Sequence, residues 1–375
     1  MAITRILSGL ASVALVCGAA LSPALASANE TGAEPSHSWT PNSYEPYPFP
    51  YYVDDTDRYP AAKPPEGTVN RHGELEYLGE GVFGAHWFVD AGGATWHFVS
   101  AGDRQKDVVL LIHGHPDTWY AYRHVMVDLA KDYYVISVDT LGYGQSDKRP
   151  ELDVSYPAVA ASLVQLLDTI QVERFNLITH DRGSVISDHL IASDGMSDRI
   201  LAFLRTQQSF DQPHGIPRPD HEAMMTPEFH RGEDFMRSLY AGNYVSDEVP
   251  EEELARFEWE WGFVGTPEAS ARTFQGTSFE IEREFRMANT VPKMTMPVVI
   301  MQGSRDPAQK PEEYYRSAEL LPNGRVVIVD ANHFIHTEAP EVVARVARDL
   351  FRFKNSNRPD LVSFEEAQFI YPEKQ

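Results

Sequence analysis

The sequence predicts an α/β protein: a mostly parallel sheet with helices on both faces and a helical insertion late in the sheet. Short apolar runs bounded by turn residues recur from about residue 75 onward, and segments with helical spacing stand between them. From about 212 to 292 there is no buried-strand run, only polar and aromatic segments of helical character. Apolar strands alternating with helices make a parallel sheet, because each crossover helix covers a face and leaves the strands buried on both sides.

Taken in order, residues 1–28 read as a secretory signal peptide. Arg5 supplies the positive start and Ile6 to Leu21 the apolar run, and both Ala24-Leu25-Ala26 and Ala26-Ser27-Ala28 are cleavage candidates. An uncleaved anchor helix is the other reading, but Ser8, Gly9, Ser12, Gly18 and Pro23 make the run a poor span. No stable membrane insertion is expected after cleavage, and the protein is expected in the periplasm or secreted. Cys17 is the only cysteine, so the cleaved chain would have no disulfide, thiol chemistry or cysteine-bound metal. Residues 29–74 are rich in Pro and Tyr and keep no helical or strand period. They form an extended arm, either draped over the domain through its tyrosines or serving as a flexible linker.

The core is expected in two parts, 75–211 and 293–356, on either side of the 212–292 insertion, with a tail over 357–375. Its strands are expected at Trp96–Val99, Val108–Ile112, Tyr134–Val138, Phe175–Ile178, Ile200–Leu204, Val298–Met301 and Val326–Val329. Helical spacing marks Trp119–Leu129, Ala158–Leu167, Val185–Ile191 and Val342–Phe351. A length of 375 residues allows two domains at roughly 150 residues each, or one large domain with an insertion. The 32 Lys+Arg against 55 Asp+Glu give a net charge of −23, which repels nucleic acid and anionic lipid surfaces. A small-molecule substrate is the expected partner, and the sequence does not give the oligomeric state.

Four polar clusters fall at the carboxyl ends of strands, where open α/β sheets place their sites. They are His113-Gly114-His115-Pro116, Thr179-His180-Asp181-Arg182-Gly183-Ser184, Gly303-Ser304-Arg305-Asp306-Pro307 and Asp330-Ala331-Asn332-His333-Phe334. The second has small residues two positions on each side of Asp181, as a tight strand-to-helix turn with an exposed central nucleophile requires. No G-x-S-x-G occurs, so a serine nucleophile is disfavoured. Asp181 could instead be a helix cap. An ionised carboxylate needs no base to attack carbon. It suits an electrophilic sp3 carbon with a good leaving group, such as an epoxide or a carbon–halogen bond, and leaves an ester that water must cleave. That water needs a general base, for which His333 is the candidate, although His333 could also be an ordinary loop histidine.

At these residues the chain resembles the α/β-hydrolase family, in its aspartate-nucleophile branch of epoxide hydrolases and haloalkane and haloacetate dehalogenases. The resemblance covers about 85–355 and includes Leu141-Gly142-Tyr143-Gly144-Gln145-Ser146-Asp147. It implies an eight-stranded sheet, a helical cap formed by the insertion, and no cofactor. It implies Asp181 as nucleophile, His333 as base, Asp306 as the acid orienting His333, and the backbone N–H groups of His115 and Arg182 as oxyanion donors. Haloacetate dehalogenases would use two arginines, at the places of Arg182 and Val185, to hold a substrate carboxylate, and the second is missing here. Epoxide hydrolases would use two cap tyrosines; Phe274 stands at the second place and Phe229 or His230 near the first, and Tyr240 and Tyr244 could substitute. The expected substrate-binding residues are thus Arg182, His230, Tyr240, Tyr244 and Phe274. The resemblance favours an epoxide hydrolase-like enzyme, with a dehalogenase of a haloacid or haloalkane next and a non-catalytic binding protein on a hydrolase scaffold as a third reading.

His113-x-His115-x-Asp117 also has the spacing that opens a metallo-β-lactamase-type metal site. Its sequel fails, because Thr118 stands where another histidine would follow, so no metal is expected there. The run Asp247, Glu248, Glu251, Glu252 and Glu253 is expected to be a solvated helix start.

Overall fold

The computed structural model describes residues 51–211, 218–232, 235–245, 249–322 and 324–352. The signal peptide, the first part of the arm, Asp247, Glu248 and the tail over 357–375 lie outside the described residues. The strands are β1 (Tyr51–Tyr52), β2 (Glu74–Gly79), β3 (Val82–Ala91), β4 (Ala94–Ala101), β5 (Val108–Ile112), β6 (Tyr134–Val138), β7 (Phe175–His180), β8 (Ile200–Thr206), β9 (Val298–Gly303) and β10 (Gly324–Val329). They form one sheet in the order β1-β2-β3-β4-β6-β5-β7-β8-β9-β10. Pairings among β1–β4 and between β4 and β6 are antiparallel, and those of β5 through β10 are parallel.

Strand alternation builds two cores, because successive side chains point to opposite faces. Leu110 and Ile112 of β5, Phe175 and Leu177 of β7, and Val298 and Ile300 of β9 lie on one face. Helices α2 (Tyr156–Thr169), α3 (Arg182–Ala192) and α7 (Pro311–Glu319) cover it with Leu163, Leu166, Val185, Leu190 and Tyr314. Val109 and Leu111, Ile178, and Val299 and Met301 lie on the other. There α1 (Arg123–Leu129) and α8 (Pro340–Phe351) bring Val125, Met126, Leu129, Val343, Val346 and Leu350. Burying side chains of this size contributes about 1.5–3 kcal/mol each.

The sheet has two strands more than the eight expected. β3–β10 make up that eight, and β1 and β2 extend the antiparallel edge. β2 reads Glu-Leu-Glu-Tyr-Leu-Gly and lacks an apolar run, since Glu74 and Glu76 are buried through polar partners rather than exposed. Residues 51–74 of the arm run along this edge. Tyr59 is buried with its ring 5.0 Å from Trp87 and 5.5 Å from Phe98, and its hydroxyl lies 2.9 Å from that of Tyr134.

Between β8 and β9 the described residues form helices and no strand. They include α4 (Glu251–Trp261), α5 (Thr266–Phe274) and α6 (Phe279–Phe285). Glu251, Glu252 and Glu253 do start α4, but Glu253 is not a solvated face: it pairs with Arg123 and, at 3.0 Å, with His124. Arg256 of α4 reaches the opposite edge of the sheet, donating to Glu76 at 2.9 and 3.2 Å and to Glu260 at 2.9 and 2.7 Å. From Glu76 a buried relay continues through His86 (3.1 Å) and His97 (2.9 Å) to Asp139 (2.7 Å).

Candidate active site

The chain leaves β7 at His180 and enters α3 at Arg182, so Asp181 alone makes the turn. Its backbone sits at φ 44° and ψ −118°, a conformation costly for a residue with a Cβ. The turn closes because its neighbours are small. A Cβ on Gly183 would lie 2.4 Å from the carbonyl oxygens of both Ile112 and His113, and one on Gly114 would lie 2.5 Å from Cβ of Asp181. These approaches set the Asp181 carboxylate between the N-terminus of α3 and the loop after β5. Its Oδ1 accepts the His115 backbone N–H at 3.1 Å, and the Arg182 backbone N–H also stabilises the charge. Burial nevertheless outweighs these donors and the nearby His333 and Arg182, so the Asp181 carboxyl titrates above the ordinary range.

The other carboxylate oxygen faces the loop after β10, where His333 Nε2 stands 3.8 Å from Oδ2. The opposite ring nitrogen, Nδ1, is 3.0 Å from Asp306 Oδ2 on the loop after β9. Burial disfavours the imidazolium, but Asp306 and then Asp181 overcome this and raise His333 to about 9. Asp306 is itself fixed by Gln207 Nε2 at 2.8 Å and by the Ala308 N–H at 2.7 Å. Asn332 accepts the His333 N–H on its side-chain oxygen at 2.9 Å. Asp181, Asp306 and His333, from three separate strand ends, thus converge on one site.

The cap residues divide. His115 Nδ1 lies 3.1 Å from the Tyr143 hydroxyl and 3.2 Å from the Ser270 hydroxyl, and its Nε2 is buried without a partner. Its ring is 5.1 Å from those of both His230 and Phe274, so these two expected residues sit over the loop after β5. Burial first, then the neighbouring His230 and Arg182, keeps the His115 imidazole well below its ordinary pKa, so it is neutral. The Tyr244 ring is 5.6 Å from that of His333, and its carbonyl accepts the His333 N–H at 3.1 Å.

Two expectations need correction. The Arg182 guanidinium is not free to clamp a substrate. Its Nε donates to Tyr156 at 2.6 Å, Nη1 to Glu282 Oε2 at 3.0 Å, and Nη2 to Glu282 Oε1. The rings of Tyr156, Phe279 and Phe274 surround it. Tyr240 does not face Asp181 either. Its hydroxyl donates to Asp117, and its ring is stacked between Phe257 (4.0 Å) and Phe334 (4.3 Å). Sequence reading missed Glu282, Gln207 and Tyr143. Glu282 is 100 positions from Arg182 and Gln207 is 99 from Asp306, so no local spacing could announce either pair. Arg205, Thr206, Gln207 and Gln208 at the end of β8 include no carboxylate; what the stretch supplies is the Gln207 amide that holds one.

Residues 109–346 match the profile of the alpha/beta hydrolase family, and the chain belongs to that family. Among curated relatives, it is 35% identical over 114 residues to epoxide hydrolase 4 of Mus musculus, covering 29% of this chain and 32% of that one. The alignment thus spans about a third of that relative's length. Among solved structures, an epoxide hydrolase from Vigna radiata superposes with a TM-score of 0.58 at 20% identity, covering 72% of this chain and 98% of that chain. An ancestral haloalkane dehalogenase superposes with a TM-score of 0.57, also at 20% identity, covering 71% of this chain and 98% of that chain. Likeness at this level of identity speaks for the fold.

Proposed function

We propose that the protein is an epoxide hydrolase-like enzyme that works through a covalent ester of Asp181. The observation that carries this reading is the division of labour on one carboxylate: Oδ1 is held by the His115 N–H, while Oδ2 faces His333, which is backed by Asp306. Oδ2 attacks a ring carbon, the carbon–oxygen bond breaks, and the released oxygen takes a proton to give a hydroxyalkyl ester. Ester formation consumes the negative charge of Asp181, one of the groups that raise His333. The imidazolium then gives up its proton more readily, and the proton lost matches the one gained by the opened ring. Neutral His333 next takes a proton from water, and hydroxide adds to the Asp181 carbonyl carbon. The oxyanion forms at Oδ1, where each backbone donor is worth about 3 kcal/mol. Collapse releases a diol and restores the carboxylate.

A carbon–halogen bond could be cleaved by the same ester chemistry, and the dehalogenase reading stands second. The haloacid version is weakened because Arg182 already has Glu282 as its counter-ion. Export through residues 1–28 belongs to the same proposal, and N-terminal sequencing of protein from the periplasmic fraction tests it. Turnover on an epoxide panel and on a haloacid and haloalkane panel tests the chemistry. Diol formation that is lost in Asp181→Asn, with 18O from labelled water entering Asp181 in a single turnover, is expected. Halide release without diol formation would overturn the epoxide reading, and activity surviving in Asp181→Asn would overturn the ester. Failure of both panels would favour a binding scaffold.

A further inference from the structure

Behind the site lies a second cluster that this chemistry does not use. Asp117, His180 and His336 are 0–2% exposed, and one ligand atom from each lies within 4.8 Å of the others. His180 Nε2 is 3.0 Å from the His333 carbonyl oxygen. A carbonyl only accepts, so Nε2 carries the hydrogen, and the neutral ring presents a lone pair at Nδ1. That lone pair stands 3.8 Å from Asp117 Oδ2, itself only an acceptor when ionised. His336 Nε2 lies 3.3 Å from the same oxygen without making a hydrogen bond to it. Asp117 Oδ2, His180 Nδ1 and both His336 ring nitrogens are all buried and unpartnered. Acceptors facing one another in a dry interior repel unless positive charge lies between them.

We propose that Asp117, His180 and His336 form a site for a divalent transition-metal ion of the zinc class. Two imidazoles and a carboxylate suit such an ion. Ligand bonds of about 2.1 Å in tetrahedral geometry separate ligand atoms by about 3.4 Å, close to the 3.3 and 3.8 Å seen here. The outer partners match as well. Metal-binding histidines commonly donate their other ring N–H to a carbonyl, as His180 does to His333. Asp117 is fixed through its second oxygen by the Tyr240 hydroxyl. These are not the ligands suggested by the His113-x-His115-x-Asp117 spacing. His113 Nε2 instead accepts the Thr140 N–H at 3.0 Å, and Asp117 turns to His180 at the end of β7 and to His336 in the short helix Ile335–Glu338.

Each ligand flanks one working part of the site. Asp117 follows the oxyanion donor His115 by two residues, His180 precedes Asp181, and His336 follows His333 by three. The ion would fasten these three segments together from behind. Its three ligands are all buried, so the ion would enter as the chain folds.

The test uses the full-length protein, chelated and then offered Co2+ in two ways, to the folded protein and during refolding from denaturant. Metal is counted by mass spectrometry and the Co2+ ligand-field spectrum is recorded. One Co2+ per chain with a tetrahedral spectrum is expected, together with a higher melting temperature than the metal-free form. His336→Gln, shown by circular dichroism to be folded, should lose the spectrum and bind at least tenfold more weakly. Less than a tenth of an equivalent bound by both routes would overturn the proposal. So would undiminished binding in both His336→Gln and Asp117→Asn.

Discussion

Glu282→Gln is the change that isolates the Arg182 lock. Arg182 is 6% exposed and Glu282 4%, so neither charge has water to fall back on. The fork makes two charge-assisted hydrogen bonds, one from each terminal nitrogen. Glutamine can accept only one of them, and its amide hydrogens point at the other guanidinium nitrogen. Removing one partner of a buried pair costs about 3–5 kcal/mol, because the remaining charge stays buried. Tyr156 keeps its bond to Nε, which places the loss at the lower end, about 3 kcal/mol. At about 2.1 cal/mol/K of unfolding entropy per residue, a chain of 375 residues loses about 4 °C of melting temperature for that change. Glu282→Leu combined with Arg182→Met, which removes both charges and leaves the backbone N–H of the turn in place, should recover more than half of that loss. Differential scanning calorimetry of Glu282→Leu, Arg182→Met and the pair closes the cycle. The freed guanidinium should also bind anions, so acetate or propionate should inhibit Glu282→Gln more strongly than wild type. A melting temperature within 1–2 °C of wild type, with additive single changes, would refute the claim that this pair is closed and desolvated.

Asp306→Asn should spare ester formation and slow its hydrolysis by about 10²–10⁴-fold. Mass spectrometry of quenched reactions should then find the Asp181 ester accumulated, and an unmodified protein would remove Asp306 from the mechanism. Glu76, where burial is overcome by Arg256 and His86, and Glu253, where it is overcome by His124 and Arg123, are each held near 2 against the ordinary 4.5. A depressed carboxylate pKa adds stability that is present above the unfolded value and is lost as pH falls through the folded one. Urea midpoints should therefore drop between about pH 4.5 and 2, and less steeply in Glu76→Gln; an unchanged slope would contradict the pairing.

Most of the sheet could be read from the sequence because parallel strands buried on both faces appear as unbroken apolar runs. Val108–Ile112 and Tyr134–Val138 are strands over their whole expected length. Trp119–Leu129 was readable as helical but not as the 3-10 turn Trp119–Tyr122 leading into α1. β2 and β3 escaped notice because the charged and polar residues Glu76 and His86 are buried in them, Glu76 held by Arg256 of α4 far along the chain and His86 by Glu76. The positions of Asp181, Asp306 and His333 were legible because each closes an apolar run at the end of a strand. What Arg182 and Tyr240 do was not. Their partners, Glu282 and Asp117, are set by how the cap helices seat, and no spacing rule carries information over 100 or 123 positions.

The relay that ends at Asp139 also sets how the cap can move. Arg256 lies between Glu76 on β2 and Glu260 on its own helix, and all three are buried. Swinging α4 away as a lid would leave Glu76 and the histidines behind it facing an empty slot, at a cost of the same order as unfolding a small domain. Cap and sheet are therefore one cooperative unit, expected to melt in a single calorimetric transition. Access to Asp181 then depends on motions smaller than a swing of α4.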